Sequence, residues 1–481
     1  MPSINSLPSP PPDTPAVIEV ELMRVCNMLG LPELNSQHKV QWIRIPSELD
    51  VPVTPRVKAI LDSAAMRRLS RISQLGLVSL VYPGATHSRL EHSLGVYRLA
   101  VQVLTQIHRS TEFDGILDDE SAKIFLIASL VHDIGHWPFC HPLEDMRREW
   151  IPHHEQLAKN LICDHELGTI IREQWQVDPR DVADFLAPKS NSMPSLLHSL
   201  LNGPIDVDKM DYLQRDSLHA GVPYGRNFDV GRLINSLCAG PDGRIAITEK
   251  GKTAAEMMVF SRYVMFSEVY WHHAVRCATA MLQRVVYEQF REAEAGNDST
   301  FTKPTQWLMQ SEAEFASELL ARTRHNAPLY SLASGLFGRQ RRLYKRLAQF
   351  NFTENSAVHR ALARRPYNNL VTCAEQLSDR LSRFSKRRLE PTAVLIDAPP
   401  VKLEVQFKLD VRQRIAKADV GEDHFLPLGN LSPVVNSLAT HQFDNYVKRV
   451  RVFVCPDCVM GLNITPEQLT EELLAIATDN P

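Results

Sequence analysis

Apolar residues recur at intervals of three and four along several long stretches, the period of a helix with one buried face. Over residues 57–80 they fall at Ile60, Leu61, Met66, Leu69, Ile72 and Leu75, which predicts a helix. Residues 91–108 carry the same spacing with a polar back and predict an amphipathic helix. Residues 121–135 are apolar on nearly every side, so that helix is expected to be buried. Helical spacing returns over 16–30, 153–174, 206–217, 253–293 and 312–323, and the basic stretch 339–389 is helix-prone. Pro83-Gly84 marks a turn, and Pro241-Asp242-Gly243 marks another before a short strand predicted at 244–248. After Pro391 the texture changes, and 393–396, 405–409 and 450–454 predict strands. The proline-rich segment 1–15 is expected to be disordered. No internal repeat interrupts this order. The expected fold is mainly α: a helical core over 37–290, an extension over 1–36, a helical extension over 291–390, and a small α+β C-terminal region over 391–481.

Composition narrows the picture. A chain of 481 residues, 44% of them hydrophobic, suffices for one large core with attached subdomains. A net charge of −3 gives no wholesale attraction to nucleic acid or to a membrane, so an anionic substrate requires a local basic cluster. No apolar run is long enough to span a bilayer, and no basic-then-apolar leader opens the chain, so a cytoplasmic protein without a membrane partner is expected. Eight cysteines form no framework, and a lone Cys455-Pro456-Asp457-Cys458 lacks a second pair of ligands and suits a turn after a strand.

The chemistry concentrates in Val131-His132-Asp133-Ile134-Gly135-His136, at the end of the helix expected to be buried. Adjacent His and Asp are costly to bury unless paired or bound to metal, and imidazole with carboxylate suits Mn, Fe, Zn or Mg. A cap or a satisfied core histidine would explain the pair alone. His92 stands in the first turn of the amphipathic helix, and His136, His141, His153 and His154 crowd the stretch beyond. In the helix expected at 206–217, Asp208, Asp211, Tyr212 and Arg215 share a face at offsets of three, four and seven, while Asp206 is placed to cap. A metal site with acid–base groups around it accounts for these histidines together.

The order His92, His132-Asp133, Asp208 resembles the HD superfamily of phosphohydrolases. The flanking words are more specific: Arg71, Gln74-Leu75-Gly76, then Tyr82-Pro83-Gly84-Ala85-Thr86-His87-Ser88-Arg89-Leu90-Glu91-His92, then His136-Trp137-Pro138-Phe139-Cys140-His141, then His154-Glu155-Gln156, then residues 205–216. These are similar to the deoxynucleoside triphosphate triphosphohydrolase branch, over about residues 40–280. The resemblance implies an HD-domain helical core and a divalent metal ion (Mn, Mg, Fe or Zn) on His92, His132, Asp133 and Asp208. It also implies acid–base or water-orienting roles for His136, His141, His154 and Glu155. The triphosphate grip would fall to Arg89, Lys209 and Arg262, with Tyr212 along the phosphates. Gln74 and Asp216 would hold the sugar 3′-hydroxyl, Leu75 would pack where a 2′-hydroxyl would sit, and Tyr270 would wall the sugar. A dNTP substrate and a homo-oligomer follow from the same likeness. Trp137 stands where the family usually has glycine, implying a narrower pocket, and Phe266 stands near a position held by histidine in the vertebrate enzyme.

Three alternatives stay open at the level of sequence. One is another HD phosphohydrolase, a nucleotidase or phosphodiesterase, which needs the metal ligands but not the sugar and triphosphate contacts. A second is a non-catalytic nucleotide-binding protein. The third is nucleic-acid binding through the basic cluster at Arg339, Arg341, Arg342, Lys345 and Arg346, which low net charge and few aromatics do not favour.

Overall fold

A computed structural model describes residues 30–34, 40–113, 115–187, 196–296, 307, 309–398, 408–413, 424–439 and 446–479. The expectations over 1–15, over all but the last residue of 16–30, and over most of 405–409 lie outside them. The described chain opens with a hairpin of β1 (Gln41–Ile45) and β2 (Leu49–Val53). The helix expected over 57–80 is instead two, α1 (Pro55–Asp62) and α2 (Ala64–Leu69), followed by a 3₁₀ turn at Gly76–Leu80. Ser63 makes the break: its extended backbone ends one helix, and its hydroxyl accepts from Met66 N to start the next.

The long helix α3 (Arg89–Arg109) is capped by Ser88. It packs beside α4 (Asp119–Val131), which is capped by Asp118 and buried on most of its length. α4 ends at Val131, so His132 to Gly135 form a turn rather than a continued helix. Short α5 (Cys140–Glu144) and then α6 (His154–Cys163) follow. α7 (Val207–Ala220) carries Asp206 at its N-cap, with the side chain accepting from Lys209 N. The stretch expected as one helix over 253–293 is α8 (Lys252–Met265), a π-helical turn at Phe266–Tyr270, and α9 (His273–Ala295). Next come α10 (Glu312–Thr323), α11 (Ala327–Phe337), α12 (Tyr367–Leu381) and, near the end, α13 (Pro466–Asp479).

Two further sheets join parts distant in sequence. β3 (Leu237–Ala239) and β4 (Ile245–Thr248) pair with β7 (Asp410–Gln413) and β8 (His424–Pro427) in the order β3-β4-β7-β8. β5 (Lys345–Phe350), β6 (Val394–Asp397) and β9 (Val450–Val454) form an antiparallel sheet in the order β5-β9-β6. The strand β5 therefore lies inside the stretch expected to be helical, and the division expected at residue 390 runs through one sheet. Leu409, Val411, Leu428, Val435 and Leu438 also return to the apolar core that α3, α4 and α7 build. A second core surrounds α9 to α11, and a third lies among β9, α12 and α13. The mainly α class with small β regions stands. Among the described residues, no helix is long and apolar enough to cross a membrane.

Candidate metal centre and adjoining pocket

Three helical elements bring the HD residues to one point. His92 lies in the first turn of α3, His132 and Asp133 follow the end of α4, and Asp208 lies in the first turn of α7. His92 Nε2 lies 3.0 Å from Asp208 Oδ1 and 3.2 Å from His132 Nε2. Asp133 carboxylate oxygens lie 3.5 Å from His132 Nε2 and 4.0 Å from His92 Nε2. The opposite nitrogens are already committed. His92 Nδ1 donates to Asp211 Oδ2 at 2.8 Å, and His132 Nδ1 donates to the Ser129 carbonyl at 3.0 Å, an acceptor left over at the helix end. With both Nδ1 atoms holding hydrogens, two Nε2 lone pairs and two carboxylates face one another.

That arrangement asks for a cation. Burial opposes charge on His92, yet its hydrogen bonds to Asp208 and Asp211 and the nearby Asp133 push its pKa up to about 10. The surplus negative charge therefore outweighs desolvation, and the donor set of two imidazoles and two carboxylates suits a divalent ion with open positions. Asp211 is fixed in turn by Arg215, whose Nε and second guanidinium nitrogen donate at 2.8 and 2.7 Å. Such outer partners orient the ligand ring and raise its basicity. Asp211→Asn is expected to weaken divalent-metal binding by about 10–100-fold; equilibrium dialysis against manganese checks this, and an unchanged affinity refutes the orienting role.

The turn after α4 is pinned by Arg68, a buried guanidinium donating to the carbonyls of Ile134 and His136. The His136 ring then lies 4.1 Å from that of His154 between centroids, tilted by 33°, and its Nε2 lies 3.1 Å from His141 Nε2. Glu144 accepts from His154 Nδ1 at 2.9 and 3.0 Å and lies 3.5 Å from His141 Nδ1. Gly135 permits the approach of α6: a Cβ there would lie 1.9 Å from the His154 carbonyl oxygen.

Beside these groups opens a cavity of about 460 Å³. Gln74, Leu75, Arg89, His141, Asp208, Lys209, Tyr212, Asp216, Arg262 and Tyr270 all line it. Each is held differently. Arg89 donates to Asp133 Oδ2 at 2.7 Å, so it neutralises a candidate ligand as well as facing the cavity. Lys209 Nζ donates to Asp206 Oδ2 at 2.6 Å. Asp216 is gripped by His87 Nε2 at 2.8 Å and the Tyr270 hydroxyl at 2.6 Å. Gln74 Oε1 is buried and has no hydrogen-bond partner among the described residues. Trp137 also forms a wall, buried against Trp307, where glycine was the family expectation.

Of the residues expected at the site, Glu155 alone is not brought in. It is exposed in the first turn of α6, and Glu144 is the carboxylate that holds the histidines. Glu144, Asp211, Arg68 and His87 received no role from the sequence. Asp211 shares the helical face of Asp208, which is a usable signal; the other three act through tertiary approach that no spacing records.

Comparison with known proteins agrees with this geometry. A family model described as the HD domain matches residues 89–216, and one described as the HD associated region matches 228–459. Residues 89–216 thus carry an HD domain, and the chain resembles the HD superfamily of phosphohydrolases. The uncharacterized protein YwfO of Bacillus subtilis is 34% identical over 229 residues, covering 47% of this chain and 51% of its own. The deoxynucleoside triphosphate triphosphohydrolase SAMHD1 of Gallus gallus is 30% identical over 280 residues, covering 51% of this chain and 44% of its own. The chain thus spans about half the length of the curated relatives it matches. A solved structure of a hypothetical protein from Aquifex aeolicus superposes with a TM-score of 0.62 at 25% identity, covering 91% of this chain and 99% of that one. HD domains bind divalent metals, and His92, His132 and Asp208, whose donor atoms all lie within 4.8 Å of one another, form a possible site for such an ion, with Asp133 beside them.

Proposed function

We propose that the protein hydrolyses deoxynucleoside triphosphates to a deoxynucleoside and inorganic triphosphate. The observation that supports this reading is a single cavity lined together by Asp208, which lies beside His92 and His132, by Lys209 and Arg262, by the bonded pair Asp216 and Tyr270, and by Gln74. Mononucleotide or diester chemistry would need the candidate ligands but not this whole set.

In this reading His92, His132, Asp133 and Asp208 would hold the cation, which would supply Lewis acidity toward the phosphoryl group and its attacking water. Lys209 and Arg262 receive the phosphate charge, Arg262 through a fork and Lys209 as a point charge. Tyr212 lies along the phosphates. Asp216, fixed by His87 and Tyr270, accepts from the sugar 3′-hydroxyl, and Gln74, which lines the same cavity, donates through its amide N–H to the oxygen of that hydroxyl. Leu75 and Tyr270 crowd the 2′ side, where a buried unpaired hydroxyl costs about 1–3 kcal/mol. His154 delivers a proton to the 5′-oxygen leaving group, and Glu144, accepting from its Nδ1, fixes the orientation of the ring. His136 and His141 orient water and the α-phosphate.

The test is product identity. Purified protein with manganese or magnesium and each dNTP or NTP is expected to release intact triphosphate from dNTPs alone, seen by mass spectrometry. Release of orthophosphate or pyrophosphate, or equal turnover of ribonucleotides, overturns the assignment.

A further inference from the structure

Beside the HD cluster stands a second set of donors. His136, Cys140, His141 and His154 each offer a ligand atom, and all four atoms lie within 4.8 Å of one another. A tetrahedral zinc shell, with bonds of about 2.0–2.3 Å, needs donors spaced by roughly 3.3–3.8 Å, so closure shortens the widest separation by about 1.0–1.5 Å at most.

The histidines are oriented for it. His136 Nδ1 donates to the Asp133 carbonyl at 3.1 Å, which leaves Nε2 to face His141 Nε2 at 3.1 Å. Glu144 occupies His154 Nδ1, so Nε2 is the nitrogen left to coordinate, and the same carboxylate stands 3.5 Å from His141 Nδ1. One carboxylate behind two histidines is the outer arrangement that fixes metal-ligating imidazoles. The thiol arrives by an unusual turn. Phe139 has a left-handed backbone, φ 54°, held by packing against Phe315 and Phe337, and Cys140 and His141 follow it directly. A non-glycine residue keeps that conformation only where its surroundings impose it. An entry path exists too, since Cys140 and His141 line the cavity and the His141 side chain is 57% exposed.

We propose that His136, Cys140, His141 and His154 form a second metal site, selective for zinc-like, thiolate-accepting divalent ions and distinct from the HD cluster. Coordination displaces the thiol proton and takes the lone pair of His154. The site is therefore inhibitory: zinc on it removes the proton donor. That consequence rests on the proposed hydrolysis, whereas occupancy does not.

Cobalt(II) alone, titrated into the full chain without nucleotide, separates the two. The wild type is expected to develop a sulfur-to-cobalt charge-transfer band with intense tetrahedral visible bands. Asp208→Ala, and a double variant with Cys455→Ser and Cys458→Ser, should keep the charge-transfer band; Cys140→Ser should lose it. Because Cys140 is buried, His141→Gln at the exposed position serves as a second variant, in which cobalt affinity should fall by about ten-fold or more. Absence of the band in wild type, its survival in Cys140→Ser, or unchanged affinity in His141→Gln overturns the site. In manganese-supported dNTP turnover, the zinc concentration for half-inhibition should rise at least about ten-fold in Cys140→Ser; if the cobalt band behaves as expected and no turnover exists, the proposed function fails while the metal site stands.

Discussion

Asp208→Ala is expected to lower the rate of manganese-supported dNTP hydrolysis by about 10³-fold or more, with the helical circular dichroism retained. The size follows from what a cation supplies to phosphoryl chemistry, several kcal/mol of charge stabilisation, with each 1.36 kcal/mol worth about ten-fold. Asp208 is the ligand best suited to the test because its side chain is less buried than those of its neighbours, 30% exposed against 1% for His92 and 9% for Asp133. Its removal leaves His92 paired to Asp211, so no new buried charge is stranded. The variant should also bind manganese more weakly by equilibrium dialysis. Turnover near the wild-type rate would refute the metal assignment.

Gly135→Ala should be nearly as damaging without touching a reacting group. The added Cβ would sit 1.9 Å from the His154 carbonyl oxygen and 2.6 Å from Ala158 N. Both are backbone atoms of α6, so no flexible side chain can yield, and the helix itself must move outward. Overpacking of this kind costs about 1–3 kcal/mol of stability, and a displacement near 1 Å at a proton donor costs on the order of 10²-fold in rate. The expected signature is a lower Tm with kcat reduced far more than KM is changed, and manganese affinity held near wild type. A variant with unaltered kcat would show that His154 does not depend on this contact.

The residues most visible in sequence are those whose role is fixed by identity and local spacing. His92, His132, Asp133 and Asp208 fall in a known order, and the structure gathers them within 4.0 Å contacts. α3, α4, α7 and α10 announce themselves through periodicity and caps, and Asp206 caps as its position suggests. What stayed hidden has a tertiary cause. The break at Ser63 and the π turn at Phe266–Tyr270 interrupt apolar periods that continue on both sides. β5 lies in a charged stretch, Lys345-Arg346-Leu347-Ala348-Gln349-Phe350, whose strand character comes from pairing with β9 about a hundred residues later. Glu144 looks like one acid among many until folding sets it behind two histidines, whereas Glu155, adjacent to His154 in sequence, points elsewhere because neighbours in a helix do not share a face.

α7 has a bearing on how such a protein diversifies. Asp208, Lys209, Asp211, Tyr212, Arg215 and Asp216 all ride on one rigid rod, itself wedged against Gly95 of α3 so closely that a Cβ there would collide with Asp211 and Arg215. Any drift of that rod would upset every one of them together, which makes it a poor place for incremental change. Gln74 and Leu75, ahead of a short 3₁₀ turn, and Phe266 to Tyr270, in the π turn, sit on independent segments. New preferences among nucleotide-like molecules are accordingly expected to arise by exchange at those two segments, with the rod inherited intact.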